Sequence, residues 1–390
     1  MKATLLTFPR STVEAWLAVL GLFCVHYLAF ILSIVGIDGG VKFVQVLICL
    51  MAGLVSLRIK FDLFLNPVGF LMLMFFTYAA FNGYFLGDHD FPYAERKFMS
   101  IFYINIAEFV FLAFLLKDRI TIVKSILFFE LSLVPLLLFI FITPQFSGDR
   151  LTILSLNPIW FARLIGVLII LTINRLTSHF SYRNLRFGLW ISLLVFTQYL
   201  TGSKGPMLAT FFCSIILMTF KGVYKGVISK YFLYKSFAVL GLFFSGVLVY
   251  FFQFSSSEFL VSAYYRKEMV LSIFESNLVS AWGIGLGNFF YLGGYALNFY
   301  YPHNILLEVF IELGVVGFSL LSVLFVYFFY FHSPLQFRRK NNYVDDDYLL
   351  LWSLTTYFFL NSMFSGDLND GNIFLFAFIL ISVRYFHVSK

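Results

Sequence analysis

The sequence predicts an all-α protein made almost wholly of membrane-spanning helices, about 12 of them. Three observations predict it. Mean hydropathy is +0.89 and only 12% of residues are charged, where a soluble domain carries about twice that share. Apolar runs of spanning length recur from one end of the chain to the other. Basic residues alternate between the loops that separate those runs.

A spanning helix needs about 20 mostly apolar residues. Runs near that size occupy 16–35, 41–57, 68–86, 98–116, 126–142, 158–173, 187–200, 207–220, 237–254, 305–331, 349–364 and 373–383. Those at 187–200, 207–220 and 373–383 are short for a crossing. With the N-terminus placed in the cytoplasm, the inner segments hold 19 of the 27 Lys and Arg residues, including Arg58, Lys60, Lys117, Arg119, Arg183 and Arg338. The outer segments hold seven: Lys42, Arg96, Lys97, Arg150, Lys204, Arg266 and Lys267. Arg163 falls inside a run. Each inner loop holds at least as many cations as its outer neighbours, as the positive-inside rule leads one to expect. That pattern puts both termini in the cytoplasm and accounts for the net charge of +7 without nucleic acid.

The first run is long and no small-residue cleavage site follows it, so it reads as a helix and not a removed signal. Cys24, Cys49 and Cys213 lie inside apolar runs and define no disulfide framework. With no internal repeat and no linker, 1–390 reads as one membrane domain.

The outer face carries the long loop 253–302 and shorter ones at 87–97 and 143–157. A long loop with its own composition is usually functional or disordered, and this one is too aromatic for disorder. Tyr265, Met269, Ile273, Phe274, Leu278 and Trp282 recur at helical spacing within it. That predicts a helix lying in the membrane interface.

The candidate chemistry sits on this face. Arg163 lies about five residues into the run opened by Asn157-Pro158, or ~7.5 Å along a helix. An arginine there costs about 2–3 kcal/mol unless it snorkels or finds a partner. It either reaches the headgroups or faces inward to bind a phosphate. Lys204 sits in Leu200-Thr201-Gly202-Ser203-Lys204-Gly205-Pro206, which reads as a tight turn between helices. Such a turn does not need a lysine on the side where lysine is disfavoured. With Arg266, these cations suit an anion with two phosphates.

His303 follows Pro302 and leads into an apolar run. Tyr300 and Tyr301 precede it, and Asn304 can cap the helix that follows. Glu308 and Glu312 are four apart and share a helix face. Histidine titrates near neutrality and suits a general base. Asp88-His89-Asp90 resembles the acidic pair of metal-dependent glycosyltransferases, but a solvated loop explains it as well. Asp345-Asp346-Asp347 beside Arg338-Arg339-Lys340 reads as a solvated charge cluster. Gly283-Ile284-Gly285-Leu286-Gly287 is not a dinucleotide fingerprint, since no strand-turn-helix unit surrounds it.

Tyr301-Pro302-His303-Asn304-Ile305-Leu306-Leu307-Glu308, followed by Glu312-Leu313-Gly314-Val315-Val316-Gly317, resembles the signature of the bacterial O-antigen polymerase and O-antigen ligase superfamily. Thr201-Gly202-Ser203-Lys204-Gly205, Arg266 with the downstream glycines, and Asn157-Pro158 with Arg163 are similar to that family's pattern, in the same order. The resemblance spans about residues 150–390. It implies a metal-independent glycosyltransferase of C-type architecture in the bacterial inner membrane. Its donor would be undecaprenyl-diphosphate-linked glycan, used at the periplasmic face without nucleotide or other cofactor. It implies His303 as the base that deprotonates the acceptor, and Arg266, Arg163 and Lys204 as diphosphate ligands. Tyr301, Asn304, Glu308, Glu312 and Arg150 become candidates for supporting roles, and a chain-length regulator a candidate partner. The family usually has arginine at the Lys204 position, and lysine keeps the charge but loses the bidentate geometry. The polymerase form is expected. A ligase acting on lipid A core, a flippase for the same lipid and a metal-dependent transferase are the alternatives.

Overall fold

The computed structural model describes residues 67–106, 145–147, 150–152, 158–178, 184–224, 271, 280–291, 300–334, 346–365 and 368. The runs expected at 16–35, 41–57, 126–142, 237–254 and 373–383 lie outside the described residues, as do Arg266 and most of the loop 253–302.

The described residues are mostly helical. Helix α1 is Pro67–Leu86. Helix α2, Pro92–Met99, opens on a proline at its first turn and runs into a π-helical turn, Ser100–Asn105. Proline is pre-organised for that first position, and no breaker follows it. Arg96 and Lys97, read from sequence as loop residues, are therefore helical. The loop expected at 143–157 contains a departure from the all-α expectation. There β1, Gln145–Ser147, pairs antiparallel with β2, Arg150–Thr152.

Helices α3 (Pro158–Ser178), α4 (Asn184–Leu200) and α5 (Lys204–Tyr224) follow. The expected single helix over 305–331 is instead two. Helix α6, Ile305–Glu312, ends at Leu313, and α7, Gly314–Val326, continues into a π-helical turn, Tyr327–Phe331. Gly314 takes φ 67, a left-handed conformation that breaks the helical ladder. Helix α8 is Asp346–Ser365.

Among the described residues, four helices are long and apolar enough to cross a membrane: Pro67–Leu86, Pro158–Arg175, Lys204–Tyr224 and Gly314–Phe331. The chain is a membrane protein. Helices α3, α5 and α8 pack tightly because Gly166 has no side chain. A Cβ there would lie 2.7 Å from the Tyr357 ring and would overlap the Thr210 hydroxyl. Small residues at such contacts let helix backbones approach, which drives association in lipid.

The helix ends sort into two groups. At one end Lys221 of α5 donates to the Asn174 carbonyl of α3 (2.9 Å) and pairs with Asp346 of α8 (3.2 Å). There too the Tyr348 hydroxyl donates to the His332 carbonyl at 2.7 Å, and the Tyr224 hydroxyl to that of Pro334. Asp346, expected to be merely solvated, is part of an interhelical ion pair at the start of α8. A carboxylate there also complements the helix dipole. The starts of α3, α5 and α6 gather at the opposite end, around the last turn of α8.

Candidate active site

The step into α6 is set locally. Pro302 is buried, and His303 takes φ 55, a region that non-glycine residues seldom enter. Holding it there costs about 1–3 kcal/mol, which the surroundings must impose. Asn304 then returns to extended backbone and caps the helix. Its Oδ1 accepts from the Leu307 N–H (3.1 Å), and its Nδ2 donates to the Met363 carbonyl of α8 (3.2 Å). The Tyr301 ring centre lies 4.4 Å from that of His303, whose side chain is half-buried.

Phe364, next to Met363, meets the α4–α5 turn. A Cβ on Gly205 would sit 3.0 Å from the Phe364 Cβ. The turn is tight, as expected: Gly202 takes φ 63, and the Thr201 hydroxyl donates to the Gln198 carbonyl (2.6 Å) while accepting from the Ser203 N–H (3.2 Å). Lys204 is the exposed first residue of α5. A cation at a helix N-terminus faces the positive end of the dipole, a cost of about 0.3–1 kcal/mol. An anion bound there would reverse that sign.

Arg163 is 1% exposed, so protein encloses it and it does not snorkel to headgroups. Its guanidinium lies 4.9 Å from the Trp160 ring centre. Its carbonyl accepts from the Tyr357 hydroxyl of α8 at 3.0 Å. The Gln198 amide holds the adjacent Ala162 carbonyl at 2.9 Å. Tyr357 lies about 9 Å along α8 from Met363. The backbones that carry His303, Lys204 and Arg163 thus all attach to the last half of α8. Arg150 is in β2, opposite Ser147. Arg266 lies outside the described residues.

The two carboxylates, candidates for supporting roles, have a partner that the sequence pattern does not name. Glu308 and Glu312 both bond Lys97 of α2, and all three side chains are 0% exposed. The Glu312 carboxylate is 2.6 Å from Lys97 Nζ. Glu308 Oε1 contacts the same ammonium and also accepts from the Leu368 N–H at 3.2 Å. The Tyr93 ring centre lies 5.5 Å from Nζ. Sequence reading counted Lys97 as an outer-loop charge and missed it. The signal was present: two glutamates one turn apart in an apolar helix need a cation, because unpaired buried charge is too costly.

The glycine segment closes the break between α6 and α7. Gly283, Gly285 and Gly287 take φ 77, 100 and 83. The Ile284 and Gly285 N–H groups donate to the Ile311 and Glu312 carbonyls, each at 3.1 Å. The Ser280 and Ala281 carbonyls accept from Val315 (3.3 Å) and Val316 (3.2 Å). Backbone groups freed by a helix break must be satisfied by protein in a membrane, and this loop supplies the partners. Asn82 of α1, also missed from sequence, pins the loop. It donates to the Trp282 carbonyl (2.6 Å) and accepts from the Leu286 N–H (2.9 Å). Trp282, placed by its spacing on the interfacial helix, lies instead in a bend and is 61% exposed. Earlier in that segment, Leu271 is helical.

Asp88 anchors the same loop. It accepts from the Tyr291 hydroxyl (2.7 Å) and the Asp90 N–H (3.0 Å), and its own N–H donates to Asn288 at 3.2 Å. The Tyr291 bond holds the Asp88 carboxyl below its usual range, and the same bond pushes the phenol up. Among the described residues, no group of three or more His, Cys, Asp or Glu side chains could hold a metal. The Asp88–Asp90 pair reads as a loop tie.

The fold and site define a polytopic helical membrane protein. One bundle end carries a strained histidine, a helix-terminal lysine and an enclosed arginine. No family model matches this chain, and no curated protein matches it.

Proposed function

We propose that the protein is a polymerase of bacterial surface polysaccharide. It transfers glycan from undecaprenyl diphosphate to the non-reducing-end sugar of a lipid-linked repeat unit, at the periplasmic face of the inner membrane. The observation that carries this reading is the strained His303 at the same bundle end as Lys204 and Arg163. In the reaction, the acceptor hydroxyl oxygen attacks the anomeric carbon and His303 takes its proton. The bond from the anomeric carbon to the phosphate oxygen breaks, and the electron pair leaves on undecaprenyl diphosphate. Arg163, Lys204 and Arg266 stabilise that charge. The energy comes from the sugar–diphosphate bond, so the enzyme needs mainly alignment, a base and cations.

Purified protein in liposomes with undecaprenyl-diphosphate-linked repeat units tests this. A ladder of longer glycans without lipid A core supports the polymerase, and a requirement for that core supports the ligase. His303→Ala should abolish extension in folded protein. Arg266→Ala should nearly do so, with Arg266→Lys partly active. Wild-type extension by His303→Ala would remove the general-base role.

One observation favours a second reading, a flippase for the same lipid. The helix break at Leu313–Gly314 lies beside buried charges on Lys97, Glu308 and Glu312, and transporters use both features. Movement of a labelled lipid across the bilayer with no ladder would establish it.

A further inference from the structure

We propose that Lys97 is a positioning residue for the transfer step. By clamping Glu308 and Glu312 it sets the orientation of α6, and with it the backbone that carries His303. The inference rests on the glycosyltransferase reading above.

A helix continuous with α7 would inherit its direction. Helix α6 does not, because Gly314 at φ 67 separates the two. An eight-residue helix is too short to hold itself in water or to define its own direction. Ties to other elements must do so. Asn304 ties its start to α8, and the glycine loop ties its end. The Lys97 clamp grips its flank. The two carboxylates are one turn apart, so one ammonium fixes both the tilt of α6 and its rotation about its axis.

Apolar packing could fill the same space but would tolerate small rotations. Charges in a dry site do not, since separation is costly at low dielectric. Buried ion pairs are seldom the most stable solution, so their use here points to geometry. The lever is short. His303 lies five residues before Glu308, with only the last three steps helical at about 1.5 Å each, so with a lever of about 5–10 Å a tilt of about 10° moves it by ~1–2 Å. A displacement near 1 Å can cost about 100-fold in rate.

The test is chain extension by purified protein in liposomes, with rate measured against the concentration of undecaprenyl-diphosphate-linked repeat unit. Lys97→Met is expected to lower kcat at least tenfold while KM stays within threefold, because the diphosphate cations lie on other elements. Lys97→Arg should recover most of the lost turnover. Breaking a buried pair can unfold the protein, so a second variant carries the test in that event. It combines Lys97→Met, Glu308→Gln and Glu312→Gln, which removes all three charges together. Size exclusion and thermal unfolding establish that it is folded, and a tenfold lower kcat supports the proposal. Wild-type kcat in either folded variant overturns it, as does a loss confined to KM. If wild-type protein extends nothing, the transferase reading fails, and this inference with it.

Discussion

Gly283→Ala is expected to pry apart the junction between α6 and α7. The new Cβ would overlap the Glu312 carbonyl and lie 2.5 Å from the Gly314 nitrogen. Both obstacles are backbone, so no rotamer change relieves them. At φ 77 an L-residue also pays about 1–2 kcal/mol for the left-handed conformation. Separating the strands of the junction breaks the bonds from Ile284 to Ile311 and from Gly285 to Glu312. Each is worth about 1 kcal/mol net, and more where the freed groups stay dry. The sum is about 3–5 kcal/mol.

Gly188→Ala is the control. It is the same chemical change, within α4, where a Cβ meets nothing within 4 Å. Alanine in a helix interior is better than glycine by about 0.5–1 kcal/mol. Thermal unfolding in detergent should therefore place Gly283→Ala well below wild type and Gly188→Ala at or above it. If Gly283→Ala unfolded no earlier than wild type, the claim that the loop closes the helix break would fail. The same holds if Gly188→Ala proved the less stable of the two.

Three further outcomes are expected. His303→Gly should leave thermal stability equal or higher, since it relieves the strain at φ 55, yet abolish extension; a stable, active variant would remove the general-base role. Lys221→Met removes the tie among α3, α5 and α8 and should cost about 1–3 kcal/mol, while kcat of the folded fraction stays at the wild-type value. On the pH axis, the Asp88 carboxyl is held below its usual value by Tyr291. Its contribution to the loop tie is then present above the unfolded carboxylate pKa of about 3.9 and is lost as pH falls through the lower folded value. Amide protection at 280–291, taken relative to the intrinsic exchange rate at each pH, should be flat from neutral to about pH 5 in wild type, and lower throughout in Asp88→Ala. Loosening of this loop between pH 7 and 5 would contradict the assignment.

Much of the helical pattern was legible in the chain. Proline at 67, 92 and 158 opens α1, α2 and α3, and the Thr201–Ser203 turn was readable from its glycine. The Asn304 cap followed from residue type and position alone. The break in the tenth run was not legible. Residues 305–331 carry no charge apart from Glu308 and Glu312, and hydropathy does not register a backbone conformation. Gly314 was visible, but glycine inside a membrane helix is common and marks a break only when something else takes the freed carbonyls. What takes them is the glycine loop near 284, and only the tertiary structure shows the two segments in contact.

The charges divide the same way. Composition and the order of apolar runs determined that this is a helical membrane protein, because lipid forces backbone groups to pair within each segment. Sequence also showed that Glu308 and Glu312 share a face. Their partner depends on how helices distant in the chain lie side by side, and that is decided by packing. In sequence Lys97 directly precedes the apolar run that begins at 98, which marks it as a loop charge. Pro92 starts α2 early enough to carry Lys97 beneath α6, where a desolvated ammonium between two carboxylates is far cheaper than any of the three alone.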